Sequence, residues 1–338
     1  MVDLTISQIA KLAGVSKTTV SRVLNNKGEI KEETRNRVLQ VISENHYRPN
    51  SAARTIKSRE TKTIGLLIPY EADYIMSNPF YYDVIRGIAT EVDSKNYYLL
   101  LMYSRQESYL EIVREKRIDG LLLLSLGNQH LHLLDELVQT GIPMVSLSAV
   151  PGNLNIPTVS VNDFSGAKKA VSYLVKQGHR NIALLNGPRN LVSNEERFRG
   201  YCSVLDSNGI PYRNDFVIEC DISVKNGRYA MEEFLNYPEL TAVFVSGDLM
   251  AIGAIEAIRH SGKRIPDDIS IVAYDNIAMS GYLSPALTTV NQFGEKKGRI
   301  AANTLIEQLE GIETSNYVII EPKLVVRDST ASPHTKES

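Results

Sequence analysis

Thr5-Ile6-Ser7-Gln8-Ile9-Ala10-Lys11-Leu12-Ala13-Gly14-Val15-Ser16-Lys17-Thr18-Thr19-Val20-Ser21-Arg22-Val23-Leu24-Asn25 holds two short apolar-periodic runs that meet at Gly14. Ile6, Ile9, Ala10 and Ala13 share one helical face; Val20, Val23 and Leu24 share another. Gly14 can take the turn conformation of a tight helix corner. Ser16 can cap the second run. Lys17, Thr18, Ser21 and Arg22 are left polar and outward near the start of the second helix, the part that a helix-turn-helix lays in the major groove of DNA.

Two such helices bury little surface, so a third is required. The stretch from Glu32 to Asn45 supplies it, with Val38, Leu39, Val41 and Ile42 as its apolar set. A small helical bundle with no DNA role would show the same periodicity, but the charge map argues against it. Residues 1–60 carry eleven Lys and Arg against six Asp and Glu, while the whole chain stands at −2. A basic head on a mildly acidic body fits phosphate contact confined to one end. Residues 46–60 then read as a linker with one latent helix that forms only against a partner surface, after Pro49 has ended the third helix. Ala53 and Ile56 beside Arg54 and Lys57 suit minor-groove entry; a solvated linker is the alternative.

At 338 residues the chain can hold two or three domains. No apolar run reaches the roughly 18–20 residues of a membrane span, and the N-terminus lacks a signal-peptide core, so a cytoplasmic protein with no membrane partner is expected. Cys202 and Cys220 have no metal spacing and read as free thiols. The six His show no ligand spacing either, and no metal or cofactor is expected.

From Thr63 onward short apolar strands alternate with amphipathic helices. Strands are predicted at 63–68, 98–103, 120–124, 143–147, 159–161, 181–185, 216–218, 242–245 and 270–273, with helices between them and a last helix at 297–309. This pattern means parallel sheet buried on both faces. Nine strands are too many for one small sheet, so the expected fold is an α/β core of two doubly wound parallel-sheet subdomains behind an all-α head. Ligands of such sheets sit beyond the C-terminal strand ends. Ser125, Ser148, Asp248 and Asp275 stand at such ends, and Arg197 lies near a helix start. Carboxylates and Arg suit the vicinal hydroxyls of a sugar. The plainer readings are that Asp248 caps a helix, Asp275 fills a turn, and Arg197 pairs with Glu195 or Glu196.

The ordered set Val15-Ser16-x-x-Thr19-Val20-Ser21-Arg22-Val23-Leu24-Asn25, Tyr47-Arg48-Pro49-Asn50, Asn78-Pro79-Phe80, Arg86-Gly87-Ile88, Gly178-His179-Arg180, Arg197-x-x-Gly200-Tyr201, Asp248-x-x-Ala251-x-Gly253, Tyr274-Asp275 and Pro285-x-Leu287-Thr288-Thr289-Val290-x-Gln292 resembles the lactose/galactose repressor family over roughly residues 4–328. The resemblance implies a helix-turn-helix domain at 1–48, a hinge helix at 49–61, a periplasmic-binding-protein-like core at 62–330 and a disordered tail at 331–338. Within the core the chain would cross between subdomains, the first holding about 62–161 and 291–322, the second about 162–290 and 323–330. A homodimer on a palindromic double-stranded operator, with a small-molecule effector in the cleft, is also implied.

On the DNA side the resemblance gives base contacts to Lys17, Thr18 and Arg22. It gives phosphate contacts to Thr5, Ser16, Thr19, Ser21, Asn25, Tyr47 and Asn50, and the wedge position to Ile56. In the cleft it gives effector contacts to Phe80, Ser125, Ser148, Arg197, Asp248 and Asp275. Several positions depart from the family pattern: Ile56 replaces the usual Leu, Gly247 an Asn, Ser148 a carboxylate and Lys31 a Ser, and Asn162-Asp163 is reversed. The loop before Asn78 matches the length of the maltose-operon repressor branch. There Tyr70, Tyr74 and Phe80 would offer stacking faces to a maltose-like α-glucoside or other oligosaccharide, unless the loop is a surface insertion. Other readings are a global carbon-catabolite regulator with a protein corepressor and a sugar-binding transport protein. An enzyme is disfavoured by the lack of any G-x-G-x-x-G after the first strand, P-loop or nucleophile elbow.

Overall fold

The computed structural model describes residues 4–24, 28–45, 47, 60–103, 106–150 and 154–333. The chain divides into two compact units, Met1–Thr61 and Lys62–Ser338.

In the first unit helices span Ile6–Leu12, Lys17–Leu24 and Glu32–Glu44. Ile9, Ala10, Ala13, Val20, Val23 and Val38 form their buried core, with Ile6, Val15, Leu24, Val41 and Ile42 at its margin. Leu39 is 45% exposed rather than buried. One residue on from Val38 turns a side chain about 100° around the helix, off the face that Val38, Val41 and Ile42 share.

The second unit holds two six-stranded sheets. The first joins β1 (Thr63–Ile68), β2 (Tyr98–Tyr103), β3 (Gly120–Leu123), β4 (Met144–Ser146), β5 (Thr158–Val161) and β11 (Tyr317–Ile320), in the order β11-β5-β4-β3-β1-β2. The second joins β6 (Ile182–Asn186), β7 (Val217–Glu219), β8 (Ala242–Val245), β9 (Ser270–Asp275), β10 (Thr288–Asn291) and β12 (Lys323–Val325), in the order β12-β10-β9-β8-β6-β7. Every pairing is parallel except that of β12 with β10. The fold class is thus the expected one, with three strands more than the pattern showed. β11 and β12 are partly exposed edge strands, and β10 is rich in Thr, so none reads as a continuous apolar run.

The chain crosses between the sheets three times: after β5, after β10 and after β11. The middle crossing leads into the helix Gly294–Leu309, which packs on the helix Pro79–Ser94 of the first subdomain. Their backbones meet at Gly87 and Gly298, where a Cβ would fall 2.0 Å from the Glu295 carbonyl oxygen and 2.3 Å from that of Val84. No residue with a side chain fits there, so the register of this helix pair is fixed. Ala331, placed in the tail by the sequence, is held on the second subdomain. Its carbonyl faces a ring nitrogen of His179 at 2.8 Å, and its amide donates to Ser270 Oγ at 3.0 Å.

Candidate functional site

In the head, Gly14 adopts φ +65° at the corner, and the Thr19 amide donates to Ser16 Oγ at 3.1 Å, so Ser16 caps the second helix. Ser16, Lys17, Thr18 and Arg22 are exposed, with Thr19 and Ser21 half-buried beside them. Thr5 is exposed, and its amide donates to Gln8 Oε1 at 2.7 Å, one arm of a capping box. Tyr47 is half-buried against the head's core. Asn25, Asn50, Ala53, Arg54, Ile56 and the expected hinge helix lie outside the described residues.

In the second unit a cavity of about 100 Å³ opens between the two sheets. Phe80, Ser125, Ser148, Arg197 and Asp275 all line it. Phe80 follows Asn78, whose side chain caps the helix Pro79–Ser94 by accepting from the Phe80 amide at 3.1 Å. Ser125 and Ser148 follow β3 and β4. The Tyr81 hydroxyl donates to Ser125 at 3.4 Å, whereas the buried Ser148 hydroxyl has no partner among the described residues.

Arg197 projects from the helix Val192–Ser207 and is fixed on three sides. Its Nε and Nη2 each lie 2.8 Å from Asp163 Oδ1, and its Nη1 donates to the Ser246 carbonyl at 2.7 Å. The guanidinium lies 3.8 Å over the Tyr274 ring. Tyr274 in turn rests on Gly166, where a Cβ would lie 2.3 Å from its hydroxyl. Burial alone would lower the guanidinium pKa, but Asp163, with Tyr274 and Asp275, carries it above the usual value. Glu195 and Glu196, the partners considered from sequence, pair with Arg189 and Arg199 instead.

Asp275 ends β9 with φ +114°, and Gln292 Nε2 donates to its Oδ1. Burial pushes its carboxyl up to about 7, with Arg197 pulling down and Asp248 pushing further up. Lys297, on the helix Gly294–Leu309, is 4% exposed. Burial pulls its ammonium down to about 8, against the opposing pull of Asp163. Its Nζ lies 5.0 Å from the Phe80 ring centroid.

Two expected cleft residues do not line this cavity. Asp248 is fully buried at the start of the helix Asp248–His260. Its Oδ2 accepts from the Ile277 amide at 2.9 Å and from the Ser280 hydroxyl, and its Oδ1 accepts from the Thr289 hydroxyl at 2.6 Å. With those lone pairs occupied, it positions the loop after Asp275. Tyr70 is displaced because the loop before Asn78 folds into the helix Ala72–Ser77, which sets Tyr74 between Tyr70 and Tyr81. Ring centroids are 5.0 Å apart for Tyr70–Tyr74 and 6.2 Å for Tyr74–Tyr81, and Tyr74 forms the cavity wall.

The sequence reading missed Asp163, Gln292 and Lys297. Lys297 had a signal: it lies four and eight residues before the buried Ala301 and Leu305, a cation on the apolar face of its helix. Among the described residues no cluster of His, Cys, Asp or Glu could hold a metal ion, and no helix is long and apolar enough to cross a membrane.

Residues 5–50 match the description "Bacterial regulatory proteins, lacI family", and residues 171–330 match "Periplasmic binding protein-like domain". The chain is 33% identical to the HTH-type transcriptional repressor PurR of Aliivibrio fischeri (strain MJ11), over 96% of this chain and 98% of that one. Among solved structures it resembles the lac repressor dimer bound to operator and the anti-inducer ONPF, with TM-score 0.85, 28% identity, and 97% and 99% of the two chains covered. It also resembles a complex of the transcriptional regulator CelR with cellobiose, with TM-score 0.76, 31% identity, and 96% and 99% covered.

Proposed function

The chain belongs to the lacI family of bacterial regulatory proteins, DNA-binding transcription regulators, and on that footing we propose that it represses carbohydrate-utilisation genes and that a small sugar-type effector in the cleft switches its hold on the operator. The observation that carries this reading is the cavity shared by both subdomains. Phe80, Ser125 and Ser148 come from the first, Arg197 and Asp275 from the second. A ligand touching both sides binds two relative positions of the subdomains with different affinity, as any switch requires. By linkage, its binding and DNA binding then alter each other by the same factor.

The wall chemistry suits a sugar. Asp275 accepts from hydroxyls, Ser148 offers a hydroxyl with no partner among the described residues, and Phe80 and Tyr74 offer faces to the C–H side of a ring. At about 100 Å³ the cavity is small beside the ~300–1,000 Å³ of ordinary ligand pockets. It suits a single ring, and the oligosaccharide expected from the loop length requires the subdomains to part. On the DNA side we place Lys17, Thr18 and Arg22 on base edges, Thr5, Ser16, Thr19, Ser21, Asn25, Tyr47 and Asn50 on phosphates, and Ala53, Arg54 and Ile56 in the minor groove of a palindromic operator held by a homodimer. A labelled operator duplex, selected by the protein from a random-sequence pool, tests the switch by fluorescence anisotropy. Release or tightening by a saccharide is expected; indifference to every saccharide, with sequence-specific binding intact, would remove the sugar part of the reading.

A further inference from the structure

We propose that the effector carries an anionic group, a carboxylate or a phosphate, and that Lys297 is the residue that binds it, which makes the effector class an acidic saccharide. The inference rests on the sugar-switched reading of the cleft and narrows it.

Lys297 lines the cavity and is 4% exposed. Among the described residues its ammonium has neither a hydrogen-bond partner nor a carboxylate within ion-pair distance; Asp163 and Asp275 act on it only from farther away, and the Phe80 ring centroid lies 5.0 Å from it. A buried charge left in that condition is unfavourable, and proteins pair such groups or lose the charge. The other charges facing the cavity are already engaged. Arg197 is matched by Asp163 at 2.8 Å. Glu196 pairs with Arg199. Asp275 accepts from Gln292, and burial raises its pKa, which favours the uncharged carboxyl. Lys297 is the cavity cation with no direct partner among the described residues.

Rotation of the helix cannot relieve it. The next residue, Gly298, is pressed on the Val84 carbonyl, 2.3 Å from where a Cβ would be, so the helix is locked with Lys297 turned inward. Leu or Met at this position would complete the apolar face that continues through Ala301 and Leu305. An ammonium there is explained by a ligand that supplies the missing anion. Charge-assisted bonds of this kind are roughly twice as strong as neutral ones. Ser148, whose buried hydroxyl has no partner among the described residues, lines the same cavity and can donate to the same anion.

Calorimetric titration of the full-length protein with matched ligands tests this. The acids are D-glucuronate and D-galacturonate with their disaccharides, the phosphates are glucose 6-phosphate and galactose 6-phosphate, and the neutral parents are glucose, galactose, maltose and cellobiose. At least one acid or phosphate is expected to bind ten times more tightly than its neutral parent, and which arm responds separates carboxylate from phosphate. That preference should shrink to within twofold in Lys297→Met, which keeps the side chain's volume, and survive in Lys297→Arg. Neutral parents that bind as well as the acids, or a preference that persists in Lys297→Met, would overturn the assignment and leave the sugar switch standing. If no saccharide of either kind binds or shifts operator occupancy, the sugar switch itself fails, and the anionic assignment fails with it.

Discussion

Gln292 donates its side-chain amide to the Asp275 carboxylate, and the bond joins the end of β9 to the point where the chain leaves β10 for the other subdomain. A cleft carboxylate is thereby tied to a crossing that must flex if the subdomains move. Asp275→Ala should weaken effector binding at least tenfold, about 1.4 kcal/mol, while operator affinity stays within twofold. Gln292→Leu keeps the carboxylate but frees it, and should fall between the two. Calorimetry with the effector and anisotropy with the operator check this; equal loss in both assays would mean that Asp275 supports the fold rather than the ligand.

The raised carboxyl of Asp275 has a stability signature with a definite sign. Its folded pKa is about 7, against about 3.9 in an unfolded chain. Between those values the folded state holds a proton that the unfolded state has released, so this group makes stability fall as pH rises from about 4 to about 7. Buried His130 and His179, with lowered pKa values, act in the opposite sense over part of this range. The measurement is therefore the difference between wild type and Asp275→Asn. Without effector, the Tm of the variant relative to wild type should climb from pH 5 to pH 7 and then level off. A constant difference would show that Asp275 titrates normally.

Asp248 predicts a structural phenotype. Replacing it by Ala strands the Ile277 amide and the Ser280 and Thr289 hydroxyls, three buried donors that it now satisfies. Leaving such groups unpaired costs ~1–3 kcal/mol each and not additively, so a loss of about 2–4 kcal/mol in chemical denaturation is expected. Asp248→Asn keeps one acceptor oxygen and should lose less. Unchanged stability in Asp248→Ala would contradict its role as the anchor of the loop after Asp275.

What the sequence revealed and what it hid follow from the range of the interactions. Apolar periodicity and turn chemistry are local, so the head helices, the Ser16 cap, the Gly14 corner and the parallel α/β core were all legible. That Ser125, Ser148, Arg197 and Asp275 would border the cavity was legible because they stand at strand ends or near a helix start, whereas Phe80 came only from the family resemblance. Asp248 stands at such an end too, but its carboxylate is claimed by residues 29 to 41 positions away in sequence. The Asp163 partner of Arg197 is likewise 34 positions distant. Tyr70 lies off the cavity because the segment after it folds into the helix Ala72–Ser77, which puts Tyr74 on the wall, and that short helix had no periodic signal of its own in the sequence.

Arg22 separates recognition from switching. It is exposed on the helix Lys17–Leu24, one turn on from Thr18, and Lys17 and Thr18 are exposed on the same helix. A bidentate contact between Arg and a guanine edge is worth ~1–3 kcal/mol of discrimination. Arg22→Ala should therefore weaken binding to the selected operator by roughly five- to 150-fold, while binding to a scrambled duplex, which depends on phosphate contacts and salt, falls far less. Effector binding should stay within twofold, because the cleft lies wholly within the second compact unit. Anisotropy with both duplexes at two salt concentrations reads the outcome. If operator and scrambled duplex weaken equally, and the salt dependence falls by about one phosphate contact, Arg22 is a backbone contact and base reading rests on Lys17 and Thr18.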